Sequence, residues 1–138
     1  MTPKQIKLVQ TTWSKVAPIE AHAATLFYNR LFTADPQLRT LFKSDLAEQK
    51  RKLMTMIGLA VNSLAHLDSL IPAVRDLGRR HAEYGVQTKD YNTVGAALLW
   101  TLEQGLTQEF TPEVKGAWTA AYTILATTMQ QGATVAAA

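Results

Sequence analysis

Three helix starts that pair a capping residue with proline constrain this sequence more than any other feature: Thr2–Pro3, Asp35–Pro36 and Thr111–Pro112. A Thr or Asp side chain accepts hydrogen bonds from the first N–H groups of a helix. Proline suits the next position because its φ already fits the helix and its missing N–H is not needed there. Gln5 follows Thr2 at the spacing of a capping box. The sequence therefore predicts a helical chain.

Apolar residues recur between these starts at the three- and four-residue spacing of amphipathic helices, and no run alternates as a strand would. The expected boundaries are Pro18 and Ala34 as the ends of the first two helices, a short helix over 36–42, and later starts at Asp45, Leu70, Thr88 and Thr111. We therefore predict an all-α chain of seven or eight helices around one core, in a single domain over 1–138.

Three local features refine this prediction. Lys43–Ser44 is expected to be a polar loop, and Asp45 with Glu48 has the spacing of a second capping box. The small residues at 133–138 predict a frayed end to the last helix.

Composition excludes several classes of function. The chain has no cysteine, which rules out disulfides, thiolate zinc sites, iron–sulfur clusters and cysteine nucleophiles. Its net charge of +3 is too small and too scattered to predict nucleic-acid binding. Residues 1–7 lack the apolar centre of a signal peptide, and no stretch reaches the roughly 20 apolar residues of a membrane helix. We expect a cytoplasmic protein with no nucleic-acid or membrane partner.

His81 is the histidine whose surroundings indicate chemistry, because it shares one helix face with Val74 and Leu77. His22 and His66 lie elsewhere, and no pair has the spacing of a helical zinc or di-iron site. Motifs for nucleophilic catalysis or phosphate binding are also missing from the sequence. An inward histidine on an apolar face is either a hydrogen-bonded core residue or a ligand to a metal or cofactor. The pattern alone leaves both open.

Three other residues favour a haem site, which needs one axial nitrogen donor and an apolar pocket. Gln49 and Leu53 put a polar and an apolar side chain on one helix face, and Tyr28 supplies a hydroxyl from another helix. A gas held by iron carries partial negative charge, so a phenol and an amide donor would hold it well in a dry pocket. The alternative to these roles is that Tyr28 is an ordinary core residue and that Gln49 is exposed to solvent.

Four segments resemble the globin family in order and spacing: 26–32 (LFYNRLF), 35–42, 78–86 (GRRHAEYGV) and 117–122 (AWTAAY). The chain is most similar to bacterial single-domain haemoglobins related to flavohaemoglobins, and its second half also resembles neuroglobin. This resemblance implies a globin fold enclosing one haem. The expected cofactor is haem b, because covalent attachment through Cys-x-x-Cys-His is impossible without cysteine.

The resemblance also implies roles for individual residues. His81 would be the proximal iron ligand, Phe42 would stack on the porphyrin, and Leu53 would wall the distal side. Tyr28 and Gln49 would stabilise the bound gas. Further contacts with the cofactor are expected from Lys52, Leu77, Arg80, Tyr84, Val86, Tyr91 and Val94.

Gln49 occupies the distal position that vertebrate haemoglobins and neuroglobin fill with histidine. Glutamine is a poor ligand for haem iron, so we expect a five-coordinate ferrous iron that is open to gases. Lys52 and Arg80 would pair with the haem propionates. Lys52 as an iron ligand at high pH is the alternative for that residue.

The proximal side departs from the flavohaemoglobin pattern. Tyr91 matches the tyrosine that supports the proximal histidine there, but Ala133 stands where those proteins carry a glutamate. The sequence also lacks their reductase module. The resemblance therefore favours reversible binding of dioxygen, carbon monoxide and nitric oxide, with high oxygen affinity for storage or delivery, by a monomer or weak dimer.

Two alternatives remain. The first is nitric oxide dioxygenase or peroxidase-like chemistry with a separate reductase. The second is a helical interaction module that binds no haem.

Overall fold

Helices make up almost all of the chain that the computed structural model describes, which is residues 1–42 and 45–137. Six α-helices lie in those ranges: α1 Pro3–Val16, α2 Glu20–Ala34, α3 Leu46–Asn62, α4 Ile71–Glu83, α5 Thr88–Leu106 and α6 Pro112–Ala137. The 3₁₀ segments are Ala17–Ile19, Pro36–Leu41, Leu64–Ser69 and Thr107–Glu109. The described residues contain no strand. Counting the helix at Pro36–Leu41 gives seven helices, so the predicted all-α class is confirmed.

The three proline-led starts form as predicted. Thr2 and Gln5 make a reciprocal capping box, with N···O distances of 2.9 and 3.1 Å. The Asp35 carboxylate accepts from the N–H of Gln37 at 3.2 Å, and the Thr111 hydroxyl oxygen accepts from a backbone N–H one turn into α6. Each cap satisfies a donor that the helix itself leaves without a partner.

The predicted capping box at Asp45 is only half right. Asp45 accepts from the N–H of Ala47 at 3.2 Å, but Glu48 forms an ion pair with Lys52 on the next turn of α3, with Nζ 3.5 Å from the carboxylate. A charge partner four residues along the helix competes for the same side chain. The loop predicted at Lys43–Ser44 lies outside the described residues.

The predicted fraying at 133–138 is wrong for the described part of that segment. Helix α6 continues to Ala137. Alanine has the highest helix propensity, and no proline interrupts the run that follows Gly132.

The interior has two apolar clusters. The larger one, which we call the scaffold core, surrounds Trp13 and Trp118, whose ring centroids are 6.1 Å apart. Its buried members come from α1, α2, α3, the segment Leu64–Ser69, α5 and α6. The buried indole N–H of Trp118 donates to the hydroxyl of Thr12 at 2.9 Å. Polar groups inside this core are thus satisfied by the protein itself.

The smaller cluster contains the aromatic cage, which we define as Phe27, Phe32 and Phe42 around Tyr28. It joins α2, the segment Pro36–Leu41 and α5, while the partly buried side chains of Leu53 and Leu98 pack against both clusters. The two clusters are therefore continuous through α3 and α5.

Helix α4 carries His81 and packs along α6. The segment Leu64–Ser69 contacts the N-terminal end of α4, which is the end remote from His81. In the described part of the chain neither α3 nor α5 packs along α4. The helix of the candidate iron ligand is thus held from one side.

Candidate haem site

The imidazole ring of His81 is fixed by a hydrogen bond within its own helix. Its Nδ1 lies 2.8 Å from the carbonyl oxygen of Leu77, one turn earlier. A carbonyl only accepts, so Nδ1 carries the proton and Nε2 keeps its lone pair. Burial, the largest influence, lowers the pKa of His81 and favours the neutral ring. A neutral imidazole whose second nitrogen donates to a backbone carbonyl is the usual arrangement of a metal-bound histidine.

Tyr28 is a buried tyrosine whose hydroxyl has no partner among the described residues. The residue is 3% exposed, and its ring centroid lies 5.1 Å from that of Phe27, 5.4 Å from Phe42 and 5.8 Å from Phe32. Its hydroxyl makes no hydrogen bond to any described residue.

The same burial raises the pKa of Tyr28 to about 12. The phenol therefore keeps its proton throughout the physiological range and acts as a hydrogen-bond donor. Gln49 and Leu53 lie one turn apart on α3, and both are half-buried. Leu53 packs against the cluster that contains Tyr28.

The structure brings four predicted site residues into one cluster: Tyr28, Phe42, Leu53 and Val94. Leu77 and His81 lie together on α4, joined by the hydrogen bond above. Tyr84 follows α4, with its ring centroid 6.1 Å from that of His81, and it is 61% exposed. The predicted residues thus fall into two groups, one around Tyr28 and one around His81.

Lys52 and Arg80, the predicted partners of the propionates, are both exposed and pair with acids on their own helices. Lys52 contacts Glu48, and Arg80 Nε lies 3.3 Å from the Asp76 carboxylate. Exposed pairs of this kind contribute little to stability, so they present only a small barrier to an anionic partner. Their role toward propionates stays a prediction.

A cavity of about 260 Å³ separates α6 from the start of α5. Tyr91, Val86 and Ala133 line it together with Thr88, Gln130 and Thr134. Ala133 therefore faces the same space as Tyr91. A second cavity, of about 180 Å³, lies between α6 and the start of α4.

Sequence reasoning gave no role to Tyr122, which is hydrogen-bonded to the backbone of Tyr91. Its hydroxyl donates to the carbonyl of Tyr91 at 2.6 Å. Gly95 makes room for its ring, because a Cβ there would lie 2.7 Å from Cε2 of Tyr122. The available signal was Gly95, because a glycine inside an apolar helix often marks a place where another part of the protein comes close to the helix.

Comparison with known proteins shows which family this chain belongs to. The family model described as Globin matches residues 25–129. Neuroglobin of Chaenocephalus aceratus is 30% identical to this chain, and the aligned region covers 96% of this chain and 92% of the neuroglobin. Neuroglobin-1 of Oncorhynchus mykiss is 27% identical over the same shares. The chain belongs to the globin family.

A solved structure is similar across nearly the whole fold. It is an engineered carbene transferase made from a proposed nitric oxide dioxygenase of Rhodothermus marinus. The TM-score is 0.87 and the identity 25%, with 99% of this chain and 96% of the other covered. The predicted likeness to bacterial single-domain globins and to neuroglobin is thus confirmed.

Membership of this family implies a haem cofactor and binding of diatomic gases. The residues present fit that group. His81 offers a neutral nitrogen with a fixed tautomer, and the aromatic cage offers an apolar wall with one hydroxyl that no described residue uses. Among the described residues, no helix combines the length and the hydropathy that a membrane crossing needs.

Proposed function

We propose that this chain holds haem b through His81 and binds dioxygen reversibly and with high affinity. Haem, when bound, supplies an iron atom that takes up a diatomic gas. The observation that carries the proposal is the hydroxyl of Tyr28, which lies in the aromatic cage with no acceptor among the described residues. A phenol donor among apolar side chains is available to a ligand that carries partial negative charge.

Tyr28 and Gln49 together determine how long the gas stays. Tyr28 remains protonated because its pKa is raised to about 12, and the amide of Gln49 is a second donor on α3. Hydrogen bonds to charged groups are worth about 1.5–3 kcal/mol, which corresponds to roughly 10- to 100-fold in a dissociation rate. Tyr28→Phe should therefore release dioxygen that much faster.

Stopped-flow measurement of the dioxygen dissociation rate tests this role. Thr12→Val is the control, since it deletes a buried hydroxyl of the scaffold core that accepts from the indole N–H of Trp118 at 2.9 Å. The control should lower stability and leave the dissociation rate unchanged. An unchanged rate in Tyr28→Phe would show that its hydroxyl does not contact the gas.

Absorption spectra of the ferric, ferrous and ferrous–carbon monoxide forms test the cofactor. We expect a five-coordinate ferrous spectrum that sharpens with carbon monoxide, and loss of that spectrum in His81→Gly unless imidazole is added. A low-spin ferrous spectrum before gas is added would contradict the open position expected with Gln49. Failure to bind haem at all would favour the interaction-module alternative.

A second candidate function is nitric oxide dioxygenation, and the similarity to the Rhodothermus marinus protein supports it. This reaction consumes nitric oxide, dioxygen and one electron to give nitrate, so it needs a reductase as electron donor. Multiple turnovers with such a reductase would establish the activity. One turnover per protein would not, because a single reaction requires no regeneration of the ferrous state.

The proximal side favours gas binding over this candidate. Ala133 puts no carboxylate into the cavity beside Tyr91, and a carboxylate is the group that would make a supported histidine more electron-donating. Ala133→Glu should therefore raise peroxidase-like activity. Ala133→Gln is the uncharged control.

A further inference from the structure

Helix α4 depends on α6 for its position. The segment Leu64–Ser69 contacts it at the end remote from His81. The ion pairs that Asp76, Arg79, Arg80 and Glu83 form are all internal to α4. Charge therefore does not tether the His81 end of this helix to the rest of the protein within the described chain.

Helices α4 and α6 cross at a point where each carries a glycine, and each glycine lies against the backbone of the other helix. A Cβ built on Gly78 of α4 would overlap the carbonyl of Met129 and lie 2.5 Å from its Cα. A Cβ built on Gly132 of α6 would overlap the carbonyl of Arg75 and lie 2.8 Å from its Cα. The obstacle is backbone in both cases, so no side chain can rotate away. The two helices are as close as they are because both positions lack a Cβ.

The crossing is close to the candidate iron ligand and stiffly connected to it. Gly78 lies three residues before His81 on the same helix. The ring of His81 is bonded to the carbonyl of Leu77 on that helix, so the imidazole has little freedom relative to the backbone. A displacement of α4 therefore carries Nε2 with it.

We propose that the Gly78–Gly132 crossing positions the proximal histidine, by fixing how far α4 carries His81 from α6. This inference rests on the proposed role of His81 as iron ligand. Alanine at either glycine would push α4 away from α6 and change the geometry between the imidazole and the iron. Gly78 and Gly132 are positioning residues in this proposal, since neither needs to touch the haem.

The test uses the full-length, haem-loaded protein with Gly78→Ala and Gly132→Ala. Gly116→Ala is the control, because Gly116 is an exposed glycine on α6 with no atom within 4 Å of its built Cβ. The readout is the iron–histidine stretching frequency of the ferrous form by resonance Raman spectroscopy, together with the rate of haem loss to a haem-free acceptor.

Both crossing variants should shift the stretching frequency and lose haem about tenfold faster or more, the lower end of what supporting groups contribute at metal sites. The control should change neither quantity. Folded crossing variants with lowered thermal stability but the wild-type frequency would overturn the proposal, since the crossing would then be packing alone. An iron–histidine band that is missing from the wild type, or that persists in His81→Gly, would instead overturn the ligand assignment and the positioning role with it.

If neither crossing variant folds, hydrogen exchange on the haem-loaded wild type decides. The proposal expects backbone amides at 79–83 to exchange with the same opening free energy as those at 129–132, because the two segments move as one unit. Exchange of 79–83 at a much lower opening free energy would overturn it.

Discussion

The scaffold core and the aromatic cage bury similar side chains but treat their polar groups differently. In the scaffold core the indole N–H of Trp118 donates to Thr12 at 2.9 Å. In the aromatic cage the hydroxyl of Tyr28 has no partner among the described residues, although the residue is 3% exposed. Satisfied buried donors stabilise the fold itself, whereas a donor left without an acceptor is available to a ligand. This contrast distinguishes the part of the interior that holds the fold from the part that we assign to the gas.

Substitution in the scaffold core should give the largest loss of stability. Leu102 is 1% exposed, and Leu102→Ala should lower the free energy of unfolding by about 2–5 kcal/mol, through lost apolar burial and a residual cavity. Urea denaturation of the haem-free protein measures this. The dioxygen dissociation rate should stay at the wild-type value, and a large change in that rate would break the division between the two regions.

Removing one partner from each polar group tests the contrast directly. Thr12→Val leaves the Trp118 N–H buried without an acceptor and should cost about 1–3 kcal/mol of stability. Tyr28→Phe removes a hydroxyl that no described residue uses, so it should cost the haem-free protein less than about 0.5 kcal/mol. Equal losses in the two variants, measured by urea denaturation, would show that the Tyr28 hydroxyl has a structural role.

The pH dependence of stability should reveal the burial of His81. Because the folded-state pKa lies below the ordinary value of 6.5, the unfolded chain binds more protons as the solution becomes acidic. The stability from the neutral ring is fully present above pH 6.5 and is lost as the pH falls toward the lowered value. Haem-free His81→Gln should lose less stability than the wild type between pH 7 and about pH 5. An identical pH profile would mean that His81 is not buried as described.

A small gain in stability is expected at Gly116, where an added Cβ would meet no atom within 4 Å. Gly116→Ala on the exposed side of α6 should raise the free energy of unfolding by roughly 0.5–1 kcal/mol, because alanine loses less backbone entropy in a helix. Thermal denaturation measures the gain. Destabilisation by this variant would show that the surface of α6 near Gly116 is in contact with something.

Local patterns predicted much of this fold. Residues within one turn of each other were enough to predict the capping box at Thr2 and the helix starts at Pro36 and Pro112. The all-α class followed from the same kind of local pattern. Glu48 shows the limit of such reasoning, because its spacing fitted a capping box and a partner one turn later took it instead.

The candidate site was predicted in part. His81 was identified from the face it shares with Leu77, and Tyr28, Phe42, Leu53 and Val94 proved to lie in one cluster. The pattern could not show that the Tyr28 hydroxyl has no described partner, because that depends on every side chain that packs around it.

The sequence by itself determined where most of the helices begin, because caps and apolar periodicity act between near neighbours. Tertiary structure alone decided which distant groups meet. Trp118 and Thr12 are 106 positions apart, and the contacts of Gly78 and Gly132 exist only where α4 crosses α6. Such contacts depend on how whole helices pack, and packing brings together residues that no local spacing relates.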